Sequence, residues 1–196
     1  MERKTIEYII QHFEKYVEGY DYNKYPKEKY NLAKKSFSIL DVSSAQIREI
    51  LNWKYGNVGK SNTPQSHKNI IKRVIIKWPK FVQSESSKDA EDTFNWWHDA
   101  LYVGKSRPYI TVAFITHLIH FKRNIPIIDQ HNYRAMNYLL NNRLNLNEVK
   151  KNPSNWEDII ELMKFIKKIS ALNNKRKSDE IDKFLMIYGK SIKNKL

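Results

Sequence analysis

The chain has 196 residues, no cysteine, and 35 Lys and Arg against 21 Asp and Glu, for a formal net charge of +14. Without cysteine it can hold no disulfide, zinc ribbon or cysteine-ligated iron–sulfur cluster. So large a cation excess points to a nucleic acid or an anionic membrane. No stretch is apolar enough to span a bilayer or reads as a secretory signal, which favours nucleic acid and a cytoplasmic location. Lys, Asn and Ile are abundant and Ala is scarce, as in AT-rich genomes, so base composition accounts for part of the lysine.

Periodicity predicts an almost wholly helical chain. Ile6, Ile9, Ile10, Phe13 and Val17 recur at helical spacing, and Gly19 ends that helix. Residues 20–30 carry four tyrosines among charges and Pro26, a loop composition. Asp41-Val42-Ser43-Ser44 offers caps for a helix through Ile47, Ile50, Leu51 and Trp53. Ile70, Ile71, Val74, Ile75, Ile76 and Trp78 include β-branched residues that would suit a strand, but their length and spacing favour a helix. The polar run 83–87 predicts a linker. It lies in an N-terminal helical lobe of residues 1–100, followed by a second helical lobe at 101–196.

A helix through Ala90, Phe94, Trp97 and Leu101 comes next, and Pro108 suits the first turn of a helix over 109–121. Beyond Asp129 a helix runs to about Leu140. Ser154-Asn155-Trp156-Glu157 reads as a capping box for a helix through Ile159, Ile160, Met163, Phe165, Ile166 and Ile169. After a basic break at 173–177, Ser178-Asp179-Glu180 caps a last helix that ends near Gly189.

Four groups of residues bear on possible chemistry. The turn Val103-Gly104-Lys105-Ser106-Arg107-Pro108-Tyr109 leads into a helix N-terminus, where free amides join Lys105, Ser106 and Arg107 as phosphate ligands. It is also what an ordinary helix–helix turn with solvated cations looks like. Asp129 follows Ile127-Ile128 and opens an amphipathic helix, where a carboxylate serves equally as a cap or as a reacting group. Trp53, Trp96 and Trp97 supply flat surfaces for a base taken out of the stack, or anchor the core. His117 and His120 stand at metal-ligand spacing but lack a matching Glu-x-x-His, so no metal is expected.

The order turn, apolar helix, short loop, then Asp129-Gln130-His131-Asn132-Tyr133-Arg134 resembles the helix–hairpin–helix DNA glycosylase superfamily, above all its endonuclease III branch. Asp182-Lys183-Phe184-Leu185-Met186-Ile187-Tyr188-Gly189-Lys190 is similar to the last apolar helix of that branch. The likeness covers roughly residues 101–191. The stretch Lys105 to Tyr109 departs from the family hairpin, because a proline and bulky residues replace its paired glycines. The lysine nucleophile of the lyase members falls by spacing on Thr111, and the iron–sulfur cysteines are missing.

The resemblance implies an all-α protein of two helical lobes with a DNA-binding cleft between them. It implies a monomeric, monofunctional glycosylase that needs no cofactor and hydrolyses the N-glycosidic bond of a damaged or modified base in double-stranded DNA, in repair or anti-phage defence. Asp129 is its catalytic carboxylate. Lys105, Ser106, Arg107, Tyr109, Thr111, His131 and Arg134 contact DNA, and Trp53, Trp96 and Trp97 line the base pocket. A non-enzymatic helical DNA-binding protein, with Asp129 as a cap, and a nuclease are the alternatives.

Overall fold

A computed structural model describes residues 3–21, 27–58, 60–102, 108–141, 150, 152–172 and 176–193. Among these residues there is no strand, and the helices are α1 (Arg3–Glu18), α2 (Lys27–Ser38), α3 (Ser44–Lys54), α4 (Gln65–Val82), α5 (Ala90–Leu101), α6 (Tyr109–Ile119), α7 (Gln130–Leu140), α8 (Trp156–Leu172) and α9 (Ser178–Lys193). The protein is all-α, as periodicity predicts. The β-branched run lies inside α4, where Ile71, Val74 and Trp78 share the buried face. No helix among the described residues is long and apolar enough to cross a membrane.

The chain forms two compact units, one of residues 22–123 and one that joins residues 1–21 to 124–196. The expected boundary at 100/101 falls inside α5, before its last residue, and α5 and α6 are packed together in the unit of residues 22–123. There Thr93 Oγ1 and His120 Nε2 lie 2.8 Å apart, and His98 stacks on Tyr109. Residues Thr111 to Ile119 of α6 are all buried, and a helix that is apolar on every side needs partners on every side. It finds them in α2, through Tyr30 stacked on His117, in α3, through Trp53 against Phe114, and in α5. Trp78 and Phe81 of α4 meet Trp97 of α5 with ring centroids 5.8 and 5.1 Å apart. The polar run 83–87 is no linker. Ser84 Oγ donates to the Phe81 carbonyl, Thr93 Oγ1 donates to the Ser86 carbonyl, both at 2.7 Å, and residues 85–87 form a 3-10 turn.

In the other unit α7 is the enclosed helix, with Asn132 to Asn137 buried without a break. Thr5 Oγ1 of α1 donates to the Leu139 carbonyl at 3.3 Å. Phe13 of α1 stacks on Phe184 of α9 with centroids 5.3 Å apart. α9 runs through Gly189 to Lys193 instead of ending at the glycine. Gly189 serves a close approach: a Cβ built there would stand 2.0 Å from the carbonyl oxygen of His131 on α7 and 2.6 Å from its carbon. The cap of α8 is shifted by one residue from the expected box. Asp158 N donates to Asn155 Oδ1 at 3.1 Å, and Asn155 N donates to Asp158 Oδ2 at 3.3 Å.

Two effects oppose each other in Gly189→Ala. Helix propensity favours alanine by about 1 kcal/mol, but the added methyl must displace backbone rather than a flexible side chain, at a cost on the order of 3 kcal/mol. The overpacking wins. We expect a lower urea midpoint for Gly189→Ala; a midpoint at or above that of the wild type would show that α7 and α9 are not in contact there.

Candidate catalytic carboxylate and its surroundings

Asp129 precedes α7 in extended conformation and is its N-cap. An extended residue places its side chain over the first free amides of the helix. Asp129 Oδ1 accepts from His131 N at 2.7 Å and from Asn132 N at 3.0 Å. Asn132 Oδ1 returns the contact by accepting from Asp129 N at 2.8 Å. Among the described residues Oδ2 accepts no hydrogen bond, and the side chain is half-buried. One carboxylate oxygen is therefore anchored by backbone, and the other accepts no hydrogen bond among the described residues.

Asn132 is buried, and its amide group donates to the Ile127 carbonyl and to Asp182 Oδ1 of α9, the latter at 2.8 Å. It ties the loop before Asp129, the cap itself and α9 together. Neither Asn132 nor Asp182 stood out in the sequence. The legible signal was Asn132 at the third helical position, the reciprocal place in a capping box.

One turn further along α7, Tyr133 OH donates to Asp158 Oδ1 of α8 at 2.5 Å. Lys150 Nζ reaches both oxygens of Asp158 at 2.7 and 2.8 Å, and Ser154 N donates at 2.6 Å. Burial pushes the Asp158 carboxyl up, but Lys150, Tyr133 and the Ser154 amide outweigh it and hold it below the usual carboxylate range. Burial and the neighbouring Asp158 carboxylate push the Tyr133 phenol up.

The other expected site residues fall into distinct places. His131 lies half-buried in the first turn of α7, its carbonyl against Gly189. Arg134, expected at phosphate, is only 5% exposed. Its Nη1 donates to the Gly189 carbonyl at 3.4 Å, and its Nε is buried without a hydrogen-bond partner. It is an interior group, because i+5 from the cap turns it toward α9. Thr111, expected to contact DNA, is buried and shares a 2.5 Å hydrogen bond with Tyr55 OH. Tyr109 is half-buried against His98, with centroids 5.2 Å apart. Lys105, Ser106 and Arg107 lie outside the described residues.

The tryptophans do not form one group. Trp97 is fully buried between Trp78 and Phe81, so it belongs to the core and not to a base pocket. Trp96 is half-buried against Phe81. Trp53 is half-buried between Tyr30 and Phe114. His117 and His120 also part company, one toward Tyr30 and the other toward Thr93. No group of three metal-ligating side chains occurs among the described residues.

The sign of one pH effect follows from Asp158. Its folded carboxyl is held below the unfolded value near 3.9. Its stabilisation is therefore complete above that value and is lost as pH falls through the lower folded one. Asp158→Asn should lower stability at neutral pH by on the order of 2 kcal/mol, through the lost charge-assisted bonds. It should also flatten the acid limb of a stability–pH curve below about pH 4. An unchanged acid limb would remove Asp158 as a source of acid sensitivity.

No protein-family model, curated protein or solved structure matches the chain.

Proposed function

We propose that the chain is a monofunctional DNA N-glycosylase acting as a monomer on double-stranded DNA, with Asp129 as its catalytic carboxylate. The observation that carries this reading is the division of labour in Asp129: Oδ1 is anchored by two amides of α7, and Oδ2 accepts no hydrogen bond among the described residues. Breaking the C1′–N bond sends its electron pair to the departing base and leaves positive charge on the sugar. A carboxylate fixed beside that sugar stabilises the charge and takes a proton from the water that attacks C1′. The products are a free base and an intact strand with an abasic site.

The +14 charge and the resemblance to helix–hairpin–helix glycosylases support DNA as the substrate. In this reading Lys105, Ser106, Arg107 and the amides near Tyr109 hold phosphate. Water is the nucleophile, because Thr111 has no amine and is buried against Tyr55.

One observation favours the second reading, a helical DNA-binding protein without catalysis. Both bonds to Asp129 Oδ1 are what a purely structural N-cap makes. Asp129→Asn separates the two, since asparagine caps as well as aspartate but carries no charge. Duplexes with different damaged or modified bases, treated with alkali after incubation, should show strand breaks with the wild type. Asp129→Asn should keep the circular dichroism spectrum and lose at least ~10²-fold in rate. Base release at the wild-type rate from the folded variant excludes Asp129 as the catalytic group. Absence of release from every duplex, with binding intact, leaves the non-enzymatic reading.

The product is a separate test. Borohydride should trap little covalent protein–DNA adduct, because no Schiff base forms. Efficient trapping that is lost in Lys105→Gln would replace water by that lysine.

A further inference from the structure

Residues 50–84 contain no acidic side chain and seven cations: Lys54, Lys60, Lys68, Lys72, Arg73, Lys77 and Lys80. With 21 acids in 196 residues, a stretch of 35 should hold about four. These seven cations equal half of the net charge of +14.

The structure gathers five of the seven on α4. Lys68, Lys72, Ile76 and Lys80 recur every four residues and form one stripe, with Arg73 and Lys77 beside it. Lys68, Lys72, Lys77 and Lys80 are exposed, and Arg73 is half-exposed. None of the five is ion-paired among the described residues. Elsewhere, cations such as Lys29, Arg123, Lys150 and Arg176 stand against carboxylates. Ile76, in the middle of the stripe, is 62% exposed.

We propose that this face of α4 is a nucleic-acid contact surface in addition to residues Lys105, Ser106 and Arg107 of the proposed function, and that it lies along the sugar–phosphate backbone of duplex DNA. At 1.5 Å per residue the stripe from Lys68 to Lys80 spans about 18 Å, the length of roughly five base pairs. Lysines meet phosphates, and Ile76 meets deoxyribose. Such contacts position a protein without reading sequence. An anionic membrane is disfavoured because the apolar face of α4, Ile71, Val74, Trp78 and Phe81, is already buried in the core, leaving a single exposed isoleucine to enter lipid. The proposal holds whether or not Asp129 is catalytic.

The test is binding of the full chain to an undamaged duplex across a salt series. The variant carries Lys68→Gln, Lys72→Gln, Lys77→Gln and Lys80→Gln. A reference carries Lys164→Gln, Lys167→Gln and Lys168→Gln on the exposed face of α8. All these positions are exposed, so circular dichroism and thermal unfolding should match the wild type. The α4 variant should lose three to four from the magnitude of the log–log salt slope and at least ~10²-fold in affinity near 0.1 M salt. The α8 reference should change the slope by about one or less. Equal loss per charge in the two variants would mean a diffuse field rather than a surface and would overturn the proposal. So would unchanged DNA binding by the α4 variant, with or without lost binding to phosphatidylglycerol vesicles.

Discussion

The contact between Gly189 and the His131 carbonyl sets the geometry of the unit that carries Asp129. A helix pair whose backbones touch has no room for a side chain, so the sequence must supply glycine there. The close approach brings Asp182, two turns earlier on α9, within 2.8 Å of Asn132. It also brings the Gly189 carbonyl to Arg134. The cap of α7, its buried amide and its buried guanidinium all depend on one missing methyl group. Fixed in this way, Asp129 is oriented by neighbours that are themselves held.

Polar groups inside this unit are numerous for a helical core. Asn132, Arg134, Asn137 and Asp158 are each at least nine-tenths buried. Most are joined to a neighbour: Asn132 to Asp182, Asn137 to the Lys150 carbonyl, and Asp158 to Lys150 and Tyr133. Hydrogen bonds are directional where apolar contacts are not, so they select one packing of α7, α8 and α9 among those that hydrophobic burial alone would permit. The aromatic contacts of α1 with α9 supply area, while this network supplies register.

Helical elements were legible because each carries its own period and punctuation. Ser43 caps α3 with Gln46, as local chemistry demands, and α4 overrides its β-branched composition through length. What was not legible is tertiary. Arg134 reads as a cation for DNA because nothing local says that α9 covers it. Thr111 reads as surface for the same reason, until Tyr55 from α3 is beside it. The run 83–87 has a linker's composition, and only its bonds to the Phe81 carbonyl and Thr93 show that it is packed. Asp129 is the opposite case. Its cap position is written in the local sequence, and its freedom to act depends on an oxygen that no pattern reveals. The charge was visible as a total, but its gathering on one face of α4 required a helix to wind it there.

The discontinuity of the unit built from residues 1–21 and 124–196 has a kinetic meaning. Thr5 meets Leu139 across 134 positions, and Arg176 meets Glu14 across 162. Residues 22–123 are contiguous and contain α2, α3 and α5, which pack against α6, so they can collapse without waiting for either end. α1 cannot: Ile9 and Phe13 stay uncovered until α9 arrives. The entropy of closing so long a loop grows only with the logarithm of its length, but the search is slow because the contacts are remote in sequence. The apolar stripe of α1 is thus covered only by elements that lie far away in the sequence.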